Sequence, residues 1–271
     1  MAKLLDYGIT ENIPNKVYHG DDFFTSSTAV KMLYYDIAKY EREYINKEKE
    51  DKPDNPAFAI GSYVHSLLLE PDMVEAEYAF FPGFDGRTSG YQEFKRNNAG
   101  KTVITQAQKM QVDKMLLAFR KHPVAPGMLE GGKNELTLCV DLFGVPVKVR
   151  FDHVDIDKGY ILDIKTSGYE VDYDTFKMQG IGNLKYEVSA GLYTLAAEEH
   201  FGKPFDFYFG VLSKKTYDTE VFKTGVATMS NGKVRCKIGL ERLKHYREQG
   251  QWPDSATKKT AATSNYEIKE L

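Results

Sequence analysis

The run ILDIKTS, residues 161–167, places an acid and a lysine two positions apart inside an apolar segment. On a strand, Ile161, Asp163 and Lys165 share one face, while Leu162 and Ile164 turn the other way into a hydrophobic core. Eleven residues before Asp163, Asp152 lies near the end of a second strand-like run, VPVKVRFDHVD, and DKG at 157–159 reads as the turn between them. Adjacent antiparallel strands then bring Asp152 and Asp163 together. Two carboxylates that close repel each other unless one is protonated or a cation sits between them. All-oxygen ligation with room left for water suits Mg²⁺ or Mn²⁺. A lysine beside such an ion can orient or help deprotonate a water, or stabilise the charge that builds on a phosphate under attack, which is phosphodiester hydrolysis chemistry. The competing reading is an ion pair between Asp163 and Lys165 on the exposed face of an amphipathic strand.

The 271 residues suffice for a substantial core, and one domain spanning 1–271 is expected. No apolar run is long enough to span a bilayer and no signal peptide is evident, so the expected setting is the cytoplasm, with no membrane partner. The only cysteines, Cys139 and Cys236, are too few for a zinc site or an iron–sulfur cluster. A net charge of −3 gives no general pull toward nucleic acid, so any such contact needs a local basic surface. Lys148, Arg150, Lys165, Lys177, Lys185, Lys214 and Lys215 all fall in the half that holds the D-x-K run. Their spread is compatible with a basic cleft and equally with an ordinary solvated surface.

Residues 1–24 read as a polar, loop-like segment, and TSST at 25–28 offers caps for a helix starting near Ser26 or Ser27. That helix is expected to continue through YDIAKYEREYINKEKEDK into a charged loop at 47–55. A nearly all-apolar and therefore buried helix follows, with Asn55 as cap, Pro56 at its first position and Pro71 as its stop. His65 in its interior is either a satisfied core histidine or a metal ligand, since a buried imidazole needs partners for both nitrogens. A Gly-rich loop with Arg87, a short helix over 91–98 and a core helix over 105–122, with Met110, Val112, Met115, Leu116 and Phe119 at helical spacing, come next. ELTLCVDLF, VPVKVRFDHVD and YILDIKTS then predict a three-stranded antiparallel meander, with Glu135 opening the first strand on the side of the two aspartates. A short helix holding Phe176 and Met178, a helix over 184–201, two strands (FDFYFGVLS and DTEVFKT) and a helix over 226–249 complete the pattern. The tail beyond WPD is polar.

HSLLLEPD, the RFD that contains Asp152, the LDIKT run and YEVSAGLYTLAAEEHFGKPFDFYFGVLSKK, taken together, resemble the nuclease domain of RecE-type exonucleases (exodeoxyribonuclease VIII) in the PD-(D/E)XK superfamily. VYHGDDFFTSST, DGRTSGYQEF…KHPVA and WPD match the same pattern, so the likeness spans nearly the whole chain in order. The resemblance implies an α/β (α+β) fold with a restriction-endonuclease-like core, a mixed central sheet flanked by helices. It implies that His65, Asp152, Asp163 and the carbonyl of Ile164 bind a divalent metal, Mg²⁺ with Mn²⁺ as a substitute, and that Lys165 is the catalytic lysine. Glu135 matches an upstream acid that ligates a second metal or holds a water. The family's Q-x-x-x-Y positions fall on Ser189 and Tyr193, so the glutamine is missing. A serine is too short to reach what that amide reaches. With Tyr186 and Arg150, these positions form the expected DNA contacts.

The resemblance further implies 5′ to 3′ degradation of one strand of linear double-stranded DNA from an end, by a ring-shaped homo-oligomer working with a single-strand annealing protein in phage-type recombination. Two other readings stand beside it: a structure-specific or single-strand endonuclease of the same superfamily, and a DNA-binding recombination accessory protein whose nuclease site has decayed.

Overall fold

The computed structural model describes residues 2–48 and 56–253. In chain order the elements are β1 (Gly8–Thr10), α1 (Asn15–Gly20), α2 (Ser27–Tyr35), α3 (Ile37–Tyr40), α4 (Pro56–Leu69), α5 (Val74–Glu77), β2 (Tyr78–Phe81), α6 (Ser89–Asn97), β3 (Thr102–Thr105) and α7 (Gln106–Lys121). The second half holds β4 (Lys133–Leu142), β5 (Val145–Asp155), β6 (Tyr160–Ser167), α8 (Tyr173–Phe176), α9 (Tyr186–Phe201), β7 (Asp206–Ser213), β8 (Thr219–Lys223) and α10 (Val226–Gln249).

The central sheet is mixed, in the order β1-β4-β5-β6-β7-β8; β6 and β7 run parallel and every other neighbouring pair is antiparallel. The predicted meander is therefore present as β4, β5 and β6. The β4–β5 hairpin closes on Phe143 and Gly144, both at positive φ (57° and 79°), as a two-residue turn that follows the strand twist requires. The β5–β6 turn is held by Asp155 Oδ1, which accepts the Lys158 N–H at 2.9 Å. Because a parallel neighbour cannot follow directly, the chain leaves β6 through α8 and α9 before returning as β7.

Helices cover both faces. On one side α2, α9 and α10 pack onto Val147, Val149, Phe151, Ile161, Phe207 and Phe209; on the other, α4 and α7 cover Leu162, Ile164 and Leu212. Both faces of β6 are thus buried, not one as the sequence suggests, and Asp163 is only 2% exposed. α9 and α10 meet through two glycines. A Cβ on Gly232 would stand 2.0 Å from the Glu187 carbonyl oxygen, and one on Gly191 would stand 2.4 Å from the carbonyl carbon of Gly232, so the helices touch backbone to backbone.

The capping signals hold: Ser26 Oγ accepts the Ala29 N–H at the start of α2, and Thr105 and Gln108 form a capping box on α7. Several expectations are corrected. The first helix does not run on past Tyr35; the backbone breaks at Asp36 (φ −151°), whose carboxylate caps α3, and a π-helical turn at Glu41–Ile45 follows. Of the expected charged loop, 49–55 lie outside the described residues, as do the cap Asn55 and the tail from 254 onward. Met110 points outward at 45% exposure. The parallel pair β2–β3 had no signal in the sequence pattern.

Residues 2–24 are not simply a loop. β1 pairs with the edge of β4, and Leu5, Tyr18 and Phe24 bury against Cys139. Lys148 is not part of a basic surface either. Its ammonium, 4% exposed as a residue, donates to the carbonyls of Tyr18 (2.6 Å) and Asp21 (2.7 Å) and lies 3.7 Å from the Asp21 carboxylate. This buried cation pins the N-terminal segment onto the sheet.

Candidate active site

The irregular stretch of the sheet is where the acids converge. Asn134 pairs with His153 and Leu136 with Phe151, which sets Glu135 opposite Asp152, yet Glu135 has a left-handed backbone (φ 48°) and takes no place in the ladder. Such a conformation costs a non-glycine residue energy and is kept where surrounding structure enforces it. Phe151 and Val154, three residues apart, pack in the same cluster, so the in–out alternation of β5 slips at this point. The β5–β6 ladder runs from Asp155–Tyr160 to His153–Leu162, and beyond it Asp152 Oδ2 accepts the Ile164 N–H at 2.6 Å. A side chain has replaced a strand partner. That bond fixes Asp152 against β6.

From α4, His65 brings its Nδ1 to 3.6 Å from Asp152 Oδ2. Ligand atoms of His65, Glu135 and Asp152 all lie within 4.8 Å of one another. Burial, then the nearby Asp152 and Glu70, push the Glu135 carboxyl up to about 8, against the opposing pull of Arg150, whose Nε is 3.9 Å away. Asp163, on β6, is buried and within electrostatic reach of Asp152 and His65. Burial raises its pKa to about 6 although the Lys165 ammonium is in direct ion-pair contact with it. Lys165 Nζ also lies 3.4 Å from the Ile164 carbonyl oxygen and 5.4 Å from the centre of the Tyr186 ring. Burial opposes its charge, but Asp163 and Asp152 outweigh burial and hold the lysine pKa above its ordinary value.

The expected ligand set is therefore partly assembled. His65 and Asp152 meet as the resemblance implies, and Glu135 joins them directly. Asp163 is engaged by Lys165, and the Ile164 carbonyl faces the same ammonium. One imidazole and several carboxylate oxygens crowded into a half-buried space form a mainly oxygen donor set that fits a divalent cation.

His65, Glu135, Asp152, Ile164 and Lys165 line a cleft of about 520 Å³, with Asp163 buried behind Lys165 outside the lining. Of the expected DNA contacts, Tyr186, Tyr193 and Arg150 line it, whereas Ser189 lies half-buried on α9 outside the lining. The Arg150 guanidinium is already occupied: it donates to Thr137 Oγ1, Asn15 Oδ1 and the Ile13 carbonyl and lies over the Tyr18 ring, anchoring the N-terminal segment as Lys148 does. Tyr193 packs edge-on against Phe151 and Phe207.

Sequence reading missed several lining residues: Asn15, Tyr18 and His19 from α1, and Phe58, Gly61, Ser62, Ser66 and Glu70 on or beside α4. A signal for the α4 residues was present. Phe58, Gly61, Ser62, His65 and Ser66 recur at helical spacing in an otherwise apolar helix, one stripe on one face. α4 is therefore not wholly buried; Phe58 is 68% exposed.

A mixed sheet flanked by helices, with Asp152 and a D-x-K pair on adjoining strands, is the architecture of the PD-(D/E)XK nuclease class. The chain belongs to the family described as a PDDEXK-like domain of unknown function (DUF3799), whose model matches residues 27–264. The fold is also that of a crystal structure from Eubacterium rectale described as a "putative exonuclease", with a TM-score of 0.64, 15% identity, and coverage of 97% of this chain and 96% of that one. No curated protein matches the chain. No helix among the described residues is long and apolar enough to cross a membrane.

Proposed function

We propose that the protein is a Mg²⁺-dependent exodeoxyribonuclease that hydrolyses one strand of linear double-stranded DNA from an end, in the 5′ to 3′ direction. The observation that carries this reading is the meeting of His65, Glu135 and Asp152, from three separate segments, beside the Asp163–Lys165 pair. The exonuclease description of the Eubacterium rectale relative supports it.

In this reading His65, Asp152, Asp163 and the Ile164 carbonyl would hold the ion, with Glu135 ligating a second ion or holding a water. A bound Mg²⁺ supplies Lewis acidity to the scissile phosphate and to the attacking water. Lys165 places a positive charge at the same centre. Its ammonium is kept protonated by Asp163 and Asp152, so it donates to phosphate oxygens and offsets the charge they gain under attack. Asp152 is held in place by the Ile164 N–H, which fixes its carboxylate without spending both oxygens. The site works as a homo-oligomeric ring whose inner wall alone need be basic, alongside a single-strand annealing protein in phage-type recombination in the cytoplasm.

The test is incubation of linear duplex, carrying distinguishable 5′ labels on its two strands, with protein and Mg²⁺, next to covalently closed circular DNA. Progressive release of nucleotides from 5′ ends with the circle intact is the expected result. Cutting of the circle would replace the exonuclease reading by an endonuclease one, and no Mg²⁺-dependent release from either substrate would end the enzymatic reading. Light scattering reads the oligomer, and co-purification with a single-strand annealing protein reads the partner.

A further inference from the structure

The cleft has two chemically different ends. One holds the acids, His65, Glu70, Glu77, Glu135 and Asp152 among its lining residues. The other, two turns back along α4, has Ala57, Phe58, Gly61, Ser62, Thr166 and Lys214, none of them acidic, among its lining residues: a Cβ on Gly61 would lie 3.3 Å from Thr166 Oγ1, and the Lys214 N–H donates to the carbonyl of Ser167, the residue after Thr166. α4 spans both, because Phe58 and His65 are two helical turns apart on one face, about 10 Å at the helical rise. That is a separation of a few nucleotides along one strand.

Lys165 and Lys214 are the two lysines among the residues that line the cleft. Lys165 is in ion-pair contact with Asp163. Lys214, half-buried where the chain leaves β7, has no carboxylate within ion-pair distance among the described residues. Its backbone is fixed at both ends: the N–H donates to the Ser167 carbonyl at 2.7 Å, and its own carbonyl accepts from Gln111 Nε2 at 2.8 Å. Burial lowers its pKa with no counter-charge to offset the effect. A desolvated cation left without an acid, at the edge of a cleft, suits an anion that arrives from outside. Phe58 adds a large apolar side chain that stays exposed at the same end, on a helix fixed by the burial of Tyr63, Val64 and Leu69. An exposed aromatic on a fixed helix, lining the same cleft as a cation that no acid among the described residues neutralises, is a combination that can hold a nucleic-acid strand, the ring stacking on a base and the ammonium meeting the backbone.

We propose that Lys214 and Phe58 form a nucleotide subsite at the acid-free end of the cleft, Lys214 pairing with a backbone phosphate and Phe58 stacking on an adjoining base. The inference rests on the DNA-cleavage reading of the same cleft. It names two substrate-positioning residues that neither the D-x-K pattern nor the ligand set includes.

The test is binding, which does not depend on turnover. A dye-labelled duplex with a short single-stranded 5′ overhang is titrated with full-length protein in Ca²⁺, by fluorescence anisotropy over a range of KCl. Lys214→Gln should flatten the slope of log Kd against log salt by about 0.7 to 0.9, the loss of one phosphate contact, while Lys214→Arg keeps the parental slope. Lys215→Gln is the neighbouring control, because Lys215 is ion-paired with Glu170 at 2.9 Å and lies outside the cleft; its slope should match the parent. Phe58→Ala should weaken binding roughly tenfold at every salt concentration with the slope unchanged. Thermal unfolding of each variant identifies any that fails to fold, and Lys214→Arg and Lys215→Gln then bracket the Lys214 result. Parental protein that binds DNA while Lys214→Gln keeps its slope, or loses no more than Lys215→Gln, overturns the subsite alone. Parental protein that binds no DNA overturns the cleavage reading and the subsite together.

Discussion

Replacing Gly232 by alanine sets two physical effects in opposition, and the structure decides the sign. In an open helix the change should stabilise by up to about 1 kcal/mol, because alanine is the better helix former. At Gly232 the new methyl would lie 2.0 Å from the Glu187 carbonyl oxygen and 2.9 Å from its carbon. Ordinary contact needs roughly 1.4 Å more, and the obstacle is backbone, which cannot rotate aside, so α10 must separate from α9. Overpacking of this kind costs about 1–3 kcal/mol, and a backbone-to-backbone clash belongs at the upper end. Subtracting the propensity gain leaves a net loss of about 2 kcal/mol. Urea unfolding followed by the fluorescence of Trp252, the chain's single tryptophan, packed 5.3 Å from Tyr40 and 5.4 Å from Tyr246, reads this directly. Gly90→Ala on α6, where nothing lies within 4 Å of the added carbon, should be neutral or slightly stabilising in the same assay. If Gly232→Ala proved as stable as the parent, the helices would not be in backbone contact and the reasoning would fail.

Four further outcomes are expected. Lys165→Ala should lower single-turnover cleavage by about a hundredfold or more with DNA affinity nearly unchanged, and cleavage at the parental rate would refute its role. Asp152→Asn should keep the fold, since an amide oxygen can still accept the Ile164 N–H, but weaken Mn²⁺ binding by on the order of tenfold or more in calorimetric titration. Lys148→Ala leaves the carbonyls of Tyr18 and Asp21 and the Asp21 carboxylate without their buried cation; a loss of about 3 kcal/mol and faster proteolysis within residues 2–24 should follow. His153 is fully buried and held neutral, its pKa below the ordinary value because of that burial. The unfolded chain therefore binds the proton more readily than the folded one. The contribution of His153 is complete above about pH 6.5 and is lost as pH falls from there toward the lower pKa of the folded state, so the stability of His153→Gln should decline less steeply than the parent's below pH 6.5.

Much of the local structure is legible in residue order. The helix starts at Ser27 and Gln106 follow from a serine and a threonine able to accept a backbone N–H three residues on, and α10 spans the predicted 226–249. The β4-β5-β6 meander follows from alternation and turn residues, and with it the shared face of Asp163 and Lys165, now seen as an ion pair. The break at Asp36 and the pairing of β1 are not legible, because each is set by contacts with distant parts of the chain.

The site divides along the same line. Residue types and short spacings named Asp152, Asp163 and Lys165, because neighbouring strands bring such groups together by local rules. Glu135 also lies on those strands, but its left-handed backbone depends on the sheet around it. His65 comes from a helix nearly ninety residues away, and which of its faces meets the sheet is settled by the packing of Tyr63, Val64 and Leu69. The roles of Lys148 and Arg150 were likewise decided late. A lysine or arginine looks the same in any sequence, and only the folded chain determines whether its charge meets a carbonyl inside the protein or remains for an anion outside it.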